Sequence, residues 1–214
     1  MARQLRLKLG QAASHSRAEF VPGPSNADAT AAIDAWPNWP GGALALVGPE
    51  GVGKTHLAHA WAEAAGAAIL NRSDPDLAAA AARPVLVEDV DRGAPEEALF
   101  HLINLAARPG GGLLVTARTR PTGWTIALPD LRSRLNALYV AEIEEPDDTV
   151  LEGLLRKFFK ARNIRPAPEV YAYLLRRIER SAVTARDVVA RLDEAPDELR
   201  PVSRALARQI LEGD

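Results

Sequence analysis

The sequence predicts an α/β protein, a parallel sheet flanked by helices, followed by a smaller unit built only of helices. Three observations carry this. Short apolar runs alternate with helix-period segments up to about residue 145, the pattern of strands covered on both faces. One of these runs leads directly into the glycine-rich turn "GPEGVGKT" (48–55). After "EEPDD" (144–148) only helical spacing remains. The expected organisation is an N-terminal peptide and linker over 1–19, an α/β base over 20–145 and a helical unit over 146–214.

The elements follow in order. "FVPGPSN" (20–26) is a Pro- and Gly-rich loop. A helix is expected over 27–36, with Asn26 as its N-cap. "PNWPGG" (37–42) breaks the chain before a buried strand at 43–48 and a helix over 54–65. Further strands are expected at 67–70, 84–91, 113–118 and 139–145. Between them lie the helix start "PDLAAAAA", the amphipathic run "PEEALFHLINLAARPGGG" and a short helix at 128–138. Trp36, Trp39, Trp61 and Trp124 are expected to anchor core and loops.

Composition bounds the function. Of 214 residues, 47% are hydrophobic and 25% charged, which is enough apolar material for a real core. The formal net charge of -2 lacks the basic excess of a protein that coats nucleic acid. With no cysteine there is no disulfide, thiolate metal site or cysteine nucleophile, which fits the cytosol. No signal peptide and no run of ~18 apolar residues is found, so no membrane span is expected.

The chemistry sits at residues 48–55. They match G-x-x-x-x-G-K-[ST] between a strand and a helix, the context of a phosphate-binding loop. Gly48, Gly51 and Gly53 let the backbone turn its N–H groups toward phosphate oxygens, and the helix N-terminus adds partial positive charge. Lys54 reaches the outer phosphates, and the Thr55 hydroxyl is placed to ligate Mg²⁺. A second strand should bring acid beside the metal. "VLVEDVD" (85–91) supplies Glu88 and Asp89, one for the metal and its water shell, the other for an attacking water. His56 and His59, three apart, lack the further spacing of a zinc site.

"GKTHLAHA" (53–60) together with "FVPGPSN" (20–26) resembles the ATPase module of the DnaA family. The resemblance runs to about residue 194 and implies an AAA+ fold, an α/β base and a helical lid with ADP or ATP between them. It implies that "FVPGPSN" lies near the adenine, with Val21 and Asn26 on the nucleotide. It further implies an arginine finger at Arg134 in "DLRSRL" (130–135) and a lid arginine at Arg186 in "ARDVVARLD" (185–193). Three departures stand out. The acidic pair is Glu88-Asp89, one methylene longer at its first member than the family's usual aspartate. The strand "LLVTAR" carries Arg118 where an Asp is usual, leaving Thr116 as the sensor residue. No helix-turn-helix segment follows the lid, so sequence-specific DNA binding is not expected.

The chain opens on "ARQLRLKL" (2–9). Gln4, Leu5, Leu7 and Leu9 have the spacing of an extended peptide that inserts alternate side chains into a groove. Spacing alone favours a first edge strand, with Leu5, Leu7 and Leu9 in the core. The peptide and the module together resemble the Hda family of DnaA regulators, which implies the DNA polymerase sliding clamp and DnaA as partners. It also implies promotion of hydrolysis of DnaA-bound ATP, with homo-oligomers possible. The second reading is an AAA+ helicase loader or adaptor with its own ATP cycle. A third, a self-sufficient ATPase or kinase, lacks a second substrate site.

Overall fold

The computed structural model describes residues 15–195 and 201–212. Gln4, Leu5, Leu7 and Leu9 lie outside the described residues. A parallel five-stranded sheet is formed by β1 (Ala43–Val47), β2 (Ala68–Leu70), β3 (Val85–Val87), β4 (Leu113–Ala117) and β5 (Tyr139–Glu142), in the order β2-β3-β4-β1-β5. Around it stand α1 (Ala27–Asp34), α2 (Lys54–Ala65), α3 (Leu77–Ala82), α4 (Glu96–Ala106) and α5 (Pro129–Asn136). The helical unit holds α6 (Asp148–Ala161), α7 (Pro168–Leu174), α8 (Ala182–Asp193) and α9 (Arg204–Glu212).

Period-two alternation splits the strand side chains between two apolar layers. Leu44, Leu46, Leu86 and Leu114 face α1 and α2 and pack with Ile33, Leu57, Ala58 and Trp61. Ala45, Val47, Val85, Val87, Leu113 and Val115 face the other way, against Leu99, Leu102, Leu131 and Leu135 of α4 and α5. Burial on both faces is why the strands read as continuous apolar runs. Three indoles close one end of the first layer. Trp39 stacks on Trp61 at 5.1 Å, meets Trp36 edge-on at 4.8 Å, and donates its Nε1–H to the Ala32 carbonyl at 2.7 Å. Trp124 instead anchors a loop, donating to the Thr119 carbonyl at 3.1 Å.

The helical unit has its own core, centred on Leu151, Leu155, Phe159, Val170, Leu174, Val189 and Leu192. Asp147 caps α6 and Ser181 caps α8, each through its side-chain oxygen. Among the described residues, no helix is long and apolar enough to cross a membrane.

Element ends differ from the sequence reading for local reasons. The strand expected to reach residue 91 stops at Val87, because Asp89 takes a left-handed conformation (φ 52°). The last strand stops at Glu142, although the Ile143 amide still donates to the Val47 carbonyl at 2.8 Å. Register places Val47 level with Ala117 and Glu142, so β1, β4 and β5 end together. In an open parallel sheet this carboxyl edge is where ligands bind.

Leu114 is fully buried in the middle of the sheet. Leu114→Ala is expected to cost about 2–5 kcal/mol, seen as a lower urea midpoint with an unchanged denaturant slope.

Candidate functional site

The loop between β1 and α2 turns back on itself through Gly48, Gly51 and Gly53, whose φ values are 149°, 79° and 107°. A side chain at Gly51 or Gly53 would be strained there. No side chain caps α2, whose N-cap is Gly53. The first-turn amides therefore face the loop without an internal acceptor, an arrangement suited to an anion. Lys54 is only 8% exposed, and its ammonium donates to the Gly48 and Pro49 carbonyls at 2.7 Å each. Burial lowers its pKa. Asp89, Asp91 and Glu50 oppose that shift, and Arg118 adds to it.

Glu50 belongs to the loop itself, and the ends of β3 and β4 supply the other charged groups. Glu88 is hydrogen-bonded to His59 at 2.9 Å, and His59 stands one turn beyond Thr55 on α2. The Asp89 amide donates to the Thr116 hydroxyl at 2.9 Å. Thr116 is 1% exposed, so its hydroxyl braces the acidic turn from below. The Asp91 carboxylate accepts from the Arg118 amide at 2.8 Å, and the Arg118 guanidinium reaches Glu50 in the loop at 2.6 Å.

Sequence reading singled out neither Glu50, Asp91 nor His59 for the site. An acid inside a phosphate-binding turn was the visible signal for Glu50. The other two are brought in by the fold. Among the described residues, no three His, Asp or Glu side chains gather as a metal cage. The exposed Thr55 hydroxyl and the acidic turn fit Mg²⁺ all the same, since that ion takes one or two protein oxygens beside phosphates.

Residues 20–26 are clasped between the loop and the helical unit. Phe20 lies against Gly53 and meets the His56 ring at 5.5 Å. Val21 packs so closely on α6 that a Cβ at Gly153 would come within 2.5 Å of it. At Gly23 a Cβ would come within 2.4 Å of Val150. Asn26 stands at the N-cap position of α1 but does not cap it. Its side chain turns back, accepting from the Gly23 amide and donating to the Val21 carbonyl, both at 3.0 Å. The side chain is spent on the loop's own turn.

Ser25 and Asp147 join base and helical unit reciprocally. The Ser25 amide donates to Asp147 at 2.9 Å and the Asp147 amide donates to the Ser25 hydroxyl at 3.3 Å. A second contact runs from the Ala182 amide to the Gly51 carbonyl at 2.9 Å, setting the start of α8 on the loop. Arg186, in the second turn of α8, is exposed, with Asp187 at 3.8 Å. Residues 15–19, read from sequence as linker, lie along α2. Ser16 is hydrogen-bonded to His56 at 2.9 Å, and Lys157 of α6 donates to the Glu19 carbonyl at 2.7 Å. Arg134 is elsewhere, exposed on α5 with its guanidinium 5.0 Å over the Phe100 ring.

Desolvation of Asp147 favours its neutral form. Amide hydrogen bonds from Val150 and Ser25 outweigh that and hold its carboxyl below the usual carboxylate range. Its contribution is therefore present above the ordinary carboxylate pKa and is lost as pH falls through the depressed value. Asp147→Ala is expected to cost about 1 kcal/mol at neutral pH. In urea titrations, the gap between wild type and variant should close as pH drops below about 4.

Comparison with known proteins agrees with this architecture. Residues 44–106 match the model of the AAA family, ATPases associated with various cellular activities. No curated protein matches the chain. Among solved structures, domain III of the Thermotoga maritima replication initiation protein DnaA superposes with a TM-score of 0.74 at 18% identity, over 93% of this chain and 96% of that one. AMPPCP-bound DnaA from Aquifex aeolicus gives 0.70 at 18% identity, over 86% of this chain and 66% of that one. The Thermotoga maritima RuvB Holliday junction branch migration motor gives 0.72 at 20% identity, over 94% and 72%. The chain thus has an AAA+ fold similar to DnaA domain III, a parallel sheet carrying a glycine-rich loop with helices packed beside it.

Proposed function

We propose that this protein is an adenine-nucleotide-binding regulator of replication initiation. On this reading it docks on the sliding clamp and promotes hydrolysis of ATP held by DnaA. The observation that carries it is the position of Arg134. It is exposed on the α4–α5 layer, whereas α2 and its loop stack on the opposite layer of the sheet. Such a cation is available to a second molecule rather than to its own loop. The likeness to DnaA domain III supports a partner with the same architecture.

The roles divide as follows. Loop amides and Lys54 hold the phosphates of ADP or ATP. The likeness to a DnaA bound to AMPPCP supports adenine as the base. Val21 and Asn26 shape the wall at the adenine side, and Arg186 approaches from the lid. Thr55 and Glu88 are the oxygen donors for Mg²⁺, with His59 orienting Glu88 from behind. Asp89 is the carboxylate for an attacking water. Bound nucleotide supplies anionic charge where Gly51 meets α8, and so strengthens the join between base and lid. Gln4, Leu5, Leu7 and Leu9 insert into the clamp, which raises the local concentration of DnaA.

The experiment is ATP hydrolysis by DnaA with clamp loaded on DNA, with and without this protein. Wild type should accelerate hydrolysis. Arg134→Ala should bind clamp normally yet lose the acceleration, which for an arginine finger reaches about 10³-fold or more. Leu5→Ala, Leu7→Ala and Leu9→Ala together should abolish clamp binding and acceleration alike. Wild type that binds clamp but leaves hydrolysis unchanged would refute the regulator role and turn attention to the replicative helicase. Separately, Lys54→Ala should remove binding of a fluorescent ADP analogue without lowering the melting temperature by more than a few degrees.

A further inference from the structure

Tyr173 is 8% exposed, and its hydroxyl is buried with no hydrogen-bond partner among the described residues. A buried donor left without an acceptor calls for an explanation. Its surroundings are cationic. The Arg177 guanidinium stands 5.4 Å from the centre of the Tyr173 ring, and the Arg204 guanidinium 5.6 Å. Arg208 follows Arg204 by one turn of α9 and lies close enough for the tyrosine to act on its charge. We propose that Arg177, Arg204 and Arg208, gathered around Tyr173, form a site for the phosphate backbone of duplex DNA, gripped without regard to sequence. The site belongs to the helical unit and shares no residue with the glycine-rich loop. The choice of DNA as its occupant rests on the replication reading; the cluster itself does not.

The chemistry favours phosphate. Guanidiniums stacked on an aromatic ring are held in place before a ligand arrives, and their planar forks match phosphate oxygens. Tyrosine hydroxyls donate to backbone phosphates as arginines do. Arg204 and Arg208 are four residues apart, so they stand about 6 Å apart along the helix and can hold neighbouring phosphates. The acid present is Glu212, 2.8 Å from Arg208 and 3.9 Å from Arg177. Both pairs are exposed, so they give way at little cost to a more highly charged acceptor. The net charge of -2 gives no broad basic surface, so the contact is local and covers a few phosphates. An acidic peptide would have to order its carboxylate side chains on binding. A duplex presents phosphates at fixed spacing to a fixed row of arginines.

The test is fluorescence anisotropy of a labelled random-sequence duplex with the whole chain, repeated across salt concentrations, with neither clamp nor DnaA present. Wild type should bind with a Kd of about 10⁻⁴–10⁻⁶ M. Arg204→Gln combined with Arg208→Gln should weaken binding about tenfold or more at low salt and reduce the slope of log K against log salt by about two. Tyr173→Phe should weaken binding about threefold with the slope unchanged, because the donor it removes is neutral. Glu212→Gln releases two arginines and should tighten binding about threefold, an effect that unfolding cannot imitate. Thermal melts of each variant control for folding. A double arginine variant with the affinity and slope of wild type would overturn the site. Displacement of the duplex by a polyglutamate peptide as readily as by unlabelled duplex, at equal ionic strength, would also overturn it and make the face a dock for an acidic protein. Displacement by inorganic phosphate at the same concentration as unlabelled duplex would assign the cluster to a free anion instead. Since clamp and DnaA are absent, failure here leaves the acceleration of DnaA's hydrolysis standing, and failure of that acceleration leaves duplex binding intact.

Discussion

An ammonium taken out of water needs compensation nearby, and Lys54 sets that requirement for the whole carboxyl edge of the sheet. Two carbonyls of its own loop accept from it, and three carboxylates face it from the loop and from the end of β3. Those carboxylates must themselves be held. Asp89 is held through its amide by Thr116, and Asp91 receives the Arg118 amide. The register that ends β1 and β4 together makes these short bonds possible. A buried cation, an acidic turn and strand register are thus one arrangement.

The second dependence is the wedge formed by residues 20–26. It touches α6 through Val21 and Gly23 with no room for a Cβ on either helix or loop, and it is bonded to Asp147 through Ser25. The helical unit has its own apolar core, so its internal packing does not depend on the base. Its placement does. The wedge on one side and the Gly51–Ala182 contact on the other are polar and small, the kind of join that bound charge at the loop can strengthen.

The same division underlies the proposed function, in which one chain holds a nucleotide and offers a cation to another molecule. Two apolar layers lie on opposite sides of one sheet. The helix that continues the loop belongs to one layer, and the helix that carries Arg134 belongs to the other. Covered parallel strands force this separation, since each face must be buried by its own helices.

Much of this was legible in the sequence. Covered strands write continuous apolar runs, helices write a 3.6-residue period, and a phosphate-binding turn needs glycines at set offsets, so fold class, loop and lid could be read locally. Glu88 and Asp89 were legible as the acidic end of a strand, but their different partners were not. The Asn26 side chain read as a helix cap because that is the local preference of asparagine. The tertiary structure gave it Gly23 and Val21 instead, since the wedge had to turn tightly beneath α6. His59 beside Glu88, Asp147 beside Ser25 and Arg118 beside Glu50 are separated by 29, 122 and 68 positions in the chain. Residue types and periods determine which elements form. Which charges meet is decided only when strand order and register bring the ends of distant elements to one edge, because Coulomb and hydrogen-bond energies depend on distance in space and not on distance along the chain.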